Sequence, residues 1–132
     1  MTARTFEDDP SIADEERLFR RIPRTWVDWD EHGNAAISSA AFKDEELSVA
    51  LESVMVRDGR PPVDAIRNYA GYGLAAITAA HARSLNQHVS RDPIDEEPAH
   101  GVVYGPKKRG GIASKLRDGA SWVITPAPVA SA

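Results

Sequence analysis

The sequence predicts an α+β fold, a small mixed sheet of about five strands packed with two or three helices. Short β-prone apolar runs recur at 17–22, 35–38, 87–91 and 101–104, each bounded by turn residues. The segments 74–85 and 112–119 instead carry an apolar period near 3.6. The chain of 132 residues, 42% hydrophobic and 27% charged, is the size and composition of one globular domain. That domain is expected over 15–125, between a flexible N-terminal segment (1–14) and a flexible C-terminal tail (126–132).

Each element follows from local chemistry. Residues 1–14 mix acids, Pro and Ser without an apolar period, which predicts a mobile lead-in. Leu18, Phe19 and Ile22, with Trp26 and Val27 beyond a break at Pro23, supply the mass of a first strand. The turn cluster Asp30, His32, Gly33 and Asn34 leads to a second strand over Ala35 to Ser38, giving a hairpin. From Asp44 to Val56 the pattern fits a short strand running into a helical turn. Pro62 suits the first turn of a short helix through Tyr69, because proline lacks an amide that would be unpaired there anyway. The Ala-rich stretch Leu74 to Leu85 predicts a core helix with Ile77, His81 and Leu85 on one face and Asn86 ending it in the left-handed region. Gln87 to Arg91 and Gly101 to Tyr104 follow as strands, then a helix from Ile112 and a closing strand over Ser121 to Ile124.

Composition narrows the chemistry. Without cysteine there is no disulfide framework and no thiolate nucleophile or metal ligand. No apolar run approaches the roughly 20 residues of a membrane span, and Met1 to Pro10 lack the basic and apolar regions of a secretory leader. A cytoplasmic protein without a membrane partner is expected. The net charge is −4, yet the five basic residues after position 100 face only Asp118. A local basic patch on an acidic protein can hold an anionic ligand.

The strongest local candidate for a ligand site is Lys107, Lys108, Arg109, Gly110 and Gly111, between a predicted strand and a predicted helix. Helix-terminal amides, glycines and three cations suit a phosphate. The spacing matches neither the Walker loop nor the dinucleotide fingerprint, and the bland alternative is a solvated loop. His100, beside the acidic run Asp95, Glu96 and Glu97, is a candidate general base or a side chain simply bonded to backbone at a strand end. His81 and His88 lack the i, i+4 spacing of paired ligands, and His32 sits in a turn, so no metal site is expected. Ser38, Ser39 and Ser48 lie at predicted strand ends without a nucleophile-elbow motif. Trp26 and Trp29, interleaved with Asp28 and Asp30, suit a core or a partner contact better than base stacking. Arg20 and Arg21 can pair with acids or clamp an anion.

The RLFRRI run at 17–22, SSAAF at 38–42 with LSV at 47–49, and Asp92-Pro93 followed by PAHGV at 98–102 resemble a group of small, uncharacterised bacterial proteins. The pattern covers most of 16–124 and implies a single bacterial domain, with no activity to carry over. An Arg-bearing first strand followed by a Ser-rich strand is also similar to the opening of ADP-ribosyltransferase-like folds, which would imply use of NAD.

Three functions are open. The first is an accessory binding module that engages a partner protein encoded nearby, or a phosphate-bearing ligand such as a nucleotide or nucleic acid, through the basic loop. The second is a small transferase or hydrolase, ADP-ribosyltransferase-like and NAD-using, with Arg20 or Arg21, a serine such as Ser39 and His100 around one cleft. The third is a structural or assembly subunit, favoured by an exposed apolar patch at Trp26 or Trp29. The sequence specifies neither a cofactor nor an oligomeric state.

Overall fold

The structure, a computed structural model, describes residues 6–107 and 111–126. Its centre is a six-stranded antiparallel sheet in the order β6-β7-β4-β1-β5-β8, built from β1 (Arg17–Ile22), β4 (Glu46–Leu51), β5 (Gly73–Thr78), β6 (His88–Arg91), β7 (His100–Tyr104) and β8 (Ser121–Ile124). A separate hairpin pairs β2 (Val27–Trp29) with β3 (Ala35–Ile37). Three short helices, α1 (Glu52–Arg57), α2 (Ala79–Ser84) and α3 (Ile112–Asp118), complete the α+β fold. The α+β class is the one expected; the sheet, expected to be mixed with about five strands, has six, and every pairing in it is antiparallel. Among the described residues no helix is long and apolar enough to cross a membrane.

Side chains alternate across a strand, so the register sorts residues onto two faces. Leu18 lies between Leu51 and Ile77, and Val103 lies between Leu47 and Val89. These residues are almost completely buried and form the core face. Arg20 shares this face and donates from Nε to the Ala41 carbonyl at 3.0 Å, which fixes the 3-10 turn Ser39–Phe42 over it. α3 packs beside that turn through Leu116 and Ala113. The opposite face carries Phe19, Arg21, Ser48, Ala50, His100 and Val102, and the 3-10 turn Pro62–Ile66 covers part of it.

The helix expected over 74–85 is instead a strand followed by a helix. Residues 73–77 are buried at every position between β1 and β8, the signature of a strand covered on both faces. Tertiary pairing overrides the small helical preference of alanine. At Gly73 the neighbours Pro126 and Trp122 press so close that a Cβ would lie 2.6 Å from the Pro126 ring. α2 begins only where the Thr78 hydroxyl accepts the His81 amide at 3.1 Å. Asn86 adopts φ 61°, as expected, but ends a helix of six residues.

The N-terminal segment is a correction as well. Residues 6–14 are docked on the edge strand β6, with the Asp9 amide donating to the Val89 carbonyl at 2.9 Å and the Val89 amide donating to Asp8 Oδ1 at 2.9 Å. Arg83 ties the segment down through Asp8, Asp14 and the Asp9 carbonyl. Ile12 is 1% exposed, a core residue that an apolar period could not reveal because it stands alone between acids. Of the tail expected over 126–132, Pro126 is buried and the remainder lies outside the described residues.

Candidate functional site

The partly open sheet face forms a cleft. Phe19, Ser48, Val49 and Ala50 floor a pocket of about 70 Å³ that also touches Arg20, Arg21, Ala65, Glu97 and His100. It adjoins a recess of about 390 Å³ walled by Arg60, Asp64, Arg67, Tyr69, Ile94 and Glu96, and Arg21, Ala65, Glu97 and His100 belong to both. That volume is within the range of small-molecule sites. Apolar Ile94 and aromatic Tyr69 are exposed at its rim.

Three adjacent strands deliver the polar groups. Phe19 on β1 faces Ala50 on β4, which faces His100 on β7. Alternation then places Arg21, two residues beyond Phe19, and Ser48, two residues before Ala50, on the same side. Arg21 is held flat, its Nε donating to the Ala65 carbonyl at 2.5 Å and its guanidinium lying 4.1 Å above the Tyr69 ring. Its terminal nitrogens make no hydrogen bond and no ion pair at contact distance among the described residues, although Arg21 lies close enough to Glu97 to help lower its pKa. Arg60, in contrast, grips Glu97, donating from Nη2 to Oε1 at 2.8 Å, and lies 3.6 Å from Asp64, which also pairs with Arg67. The Arg60 guanidinium holds the Glu97 carboxyl below the usual carboxylate range, against the opposing effect of burial, and the Ala99 amide adds to the shift.

His100 is mostly buried, with Nδ1 2.8 Å from the Asp92 carbonyl and 3.2 Å from the Asp92 carboxylate. A carbonyl oxygen only accepts, so Nδ1 carries a proton in this contact. The neutral ring then keeps its lone pair on Nε2, which makes no hydrogen bond among the described residues. The backbone bond expected of a strand-end histidine is present and leaves the second nitrogen available.

The remaining sequence candidates separate. Arg20 points to the core face, where its guanidinium donates to the Ala41 and Ser48 carbonyls, approaches Asp44 and lies 5.5 Å from the Trp26 ring centre. It borders the smaller pocket beside Arg21, but its guanidinium is spent bracing the core face, because consecutive strand residues face opposite ways. Ser39 lies on the 3-10 turn, away from the cleft lining, and Ser38 caps that turn through its hydroxyl. The serine-rich strand behind the likeness to ADP-ribosyltransferases is therefore absent at these serines; turn chemistry took precedence over the strand pattern.

Lys107 turns inward. It is 2% exposed and donates to the carbonyls of Glu45, Val103 and Gly105, so its charge is engaged within the fold rather than offered to a ligand. Lys108, Arg109 and Gly110 lie outside the described residues, and Gly111 sits in the left-handed region as the N-cap of α3. Trp26 and Trp29 pack against the core. Among the described residues no group of three or more His, Cys, Asp or Glu side chains is placed to hold a metal ion.

Tyr69, Arg60 and Asp92 were not singled out by sequence reasoning as site residues. A faint signal existed in the Asp92-Pro93 turn, eight residues before His100, since a turn of that length returns an acid to the next strand's start. Compared with known proteins, the chain matches no family model, no curated protein and no solved structure.

Proposed function

We propose that this protein binds a small organic anion in the cleft over β1, β4 and β7, as a small transferase or hydrolase. The observation that carries this reading is Arg21. Its neighbours Arg60 and Arg67 already have carboxylates, whereas Arg21 is oriented by the Ala65 carbonyl and the Tyr69 ring and keeps its terminal nitrogens for another acceptor. A guanidinium fixed in this way matches the two oxygens of a carboxylate or phosphate. The basic loop at 107–111 supports a ligand less well, because Lys107 faces inward.

Isothermal titration with glutarate and with inorganic phosphate tests the reading. Arg21→Gln is expected to weaken binding at least tenfold, about 1.4 kcal/mol, while leaving the melting temperature nearly unchanged. Raising the salt should weaken binding to the wild type. Equal affinity in the two proteins, or no binding of either anion, would overturn it.

A further inference from the structure

We propose that His100 is the general base of a water-consuming reaction in this cleft, with Asp92 as its positioning residue, and that the substrate is a monoester of a small dicarboxylic acid. The inference rests on the anion-binding reading of Arg21.

The geometry supplies three roles. Nδ1 is fixed by the Asp92 carbonyl at 2.8 Å and the Asp92 carboxylate at 3.2 Å, so the ring cannot turn freely and Nε2 is the basic atom on a residue that lines both parts of the cleft. The nearby carboxylate stabilises the imidazolium that forms when Nε2 takes a proton. Ser48 faces Val102 on β7, two residues from His100, which makes it a diagonal neighbour on the same face, and it is exposed to solvent. Its hydroxyl is the donor available to a developing oxyanion. Arg21 stands two strands from His100 and two residues along, a backbone separation of about 12 Å, which side chains on both sides shorten to the span of a short dicarboxylate.

The reaction balances without a further reactant. Water loses a proton to Nε2 as its oxygen forms a bond to the ester carbon, and the carbonyl electron pair moves onto oxygen, where Ser48 donates. Collapse of that intermediate breaks the bond to the alkoxide, which takes the proton back from the imidazolium. The products are a dicarboxylic acid and an alcohol. The substrate's free carboxylate stays on Arg21 throughout, so it contributes orientation.

The test compares mono-p-nitrophenyl glutarate with neutral p-nitrophenyl butyrate. The wild type should cleave the anionic ester at least tenfold more efficiently in kcat/KM, and Arg21→Gln should erase that preference by raising KM. His100→Asn retains a donor for the Asp92 carbonyl but lacks the Nε2 base, and should lower kcat about 100-fold while melting like the wild type. Asp92→Ala should lower kcat with KM unchanged, a split that loss of a merely structural contact would not produce, and Ser48→Ala should lower kcat by a smaller factor. If His100→Asn is unstable, the Ser48→Ala and Asp92→Ala effects on kcat decide the matter. Hydrolysis that is absent, equal for both esters or unaffected by these variants overturns the proposal. Glutarate calorimetry distinguishes the two failures: Arg21-dependent binding without ester cleavage refutes the hydrolase alone, and absence of binding refutes both.

Discussion

Arg60 and Glu97, 37 residues apart, form a bidentate ion pair that joins the two loops walling the cleft. Glu97 is 5% exposed and titrates below the usual carboxylate range because Arg60 donates to it. A carboxyl with a lowered folded pKa adds stability above its unfolded pKa, and that stability is lost as pH falls through the folded value. Glu97→Gln should therefore destabilise the protein by about 2 kcal/mol at neutral pH. The gap from the wild type should narrow steadily in acid. Urea unfolding across this range measures it, and a gap independent of pH would contradict the assignment.

The docked N-terminal segment predicts that its removal is costly. Ile12 is fully buried and Arg83 bonds to three groups of the segment. Ile12→Ala should cost about 2–5 kcal/mol through the cavity it leaves. Deleting residues 1–14 should lower the melting temperature at least as far and uncover the edge of β6. Calorimetry and light scattering would report the two effects; an unchanged melting temperature would show that the segment contributes nothing.

His81 and Gly119 are a second tightly matched pair. His81 Nε2 lies 2.7 Å from the Lys115 carbonyl, and a Cβ built on Gly119 would fall 2.3 Å from the same nitrogen. The backbone at Gly119 is ordinary, with φ −92°, so the requirement for glycine is purely one of space. Gly119→Ala should destabilise by about 1–3 kcal/mol, in the range of overpacking. Adding His81→Ala should recover part of that loss, a non-additivity that a double-mutant cycle detects.

Lys107 should leave a mark in alkaline solution. Burial pushes its ammonium down to about 8 from an ordinary value of 10.5, despite the nearby Glu45 and Asp44. Between those values the unfolded chain keeps the proton while the folded protein releases it, so this residue's contribution to stability rises with pH. Lys107→Met should lack that rise. At neutral pH the substitution should still destabilise, because the Val103 and Gly105 carbonyls each lose the Lys107 donor, while the Glu45 carbonyl keeps the Gly105 amide at 3.1 Å. Stability curves for the two proteins that run parallel through the alkaline window would rule this out.

Much of the fold was legible where side-chain pattern and backbone agree. Leu47, Val49 and Leu51 alternate before Val54 and Met55 return at helical spacing, and the chain passes there from β4 to α1 as expected. Ile77 was read as buried and is 2% exposed, although it lies on a strand. That error arose because the alanines of β5 are small enough to suit either structure, and only the close approach of β1 and β8 selects the strand. The cleft was less legible. Arg21 and His100 line one cleft from strands on either side of β4, and the order β7-β4-β1 places together segments whose pairing no local pattern specifies. Arg20 and Arg21 were indistinguishable in the sequence, since alternation assigns them opposite faces without saying which face is covered.

The docked segment also bears on how the chain acquires its structure. Asp8 meets Val89 across 81 residues and Arg83 across 75. The segment at 6–14, which precedes α2 and β6 in the chain, must therefore wait for them before it has these partners to bind. Contacts of such sequence separation slow folding, since a long loop must close before they form. The segment should consequently dock after the rate-limiting step of refolding, so Ile12→Ala should speed unfolding far more than it slows folding.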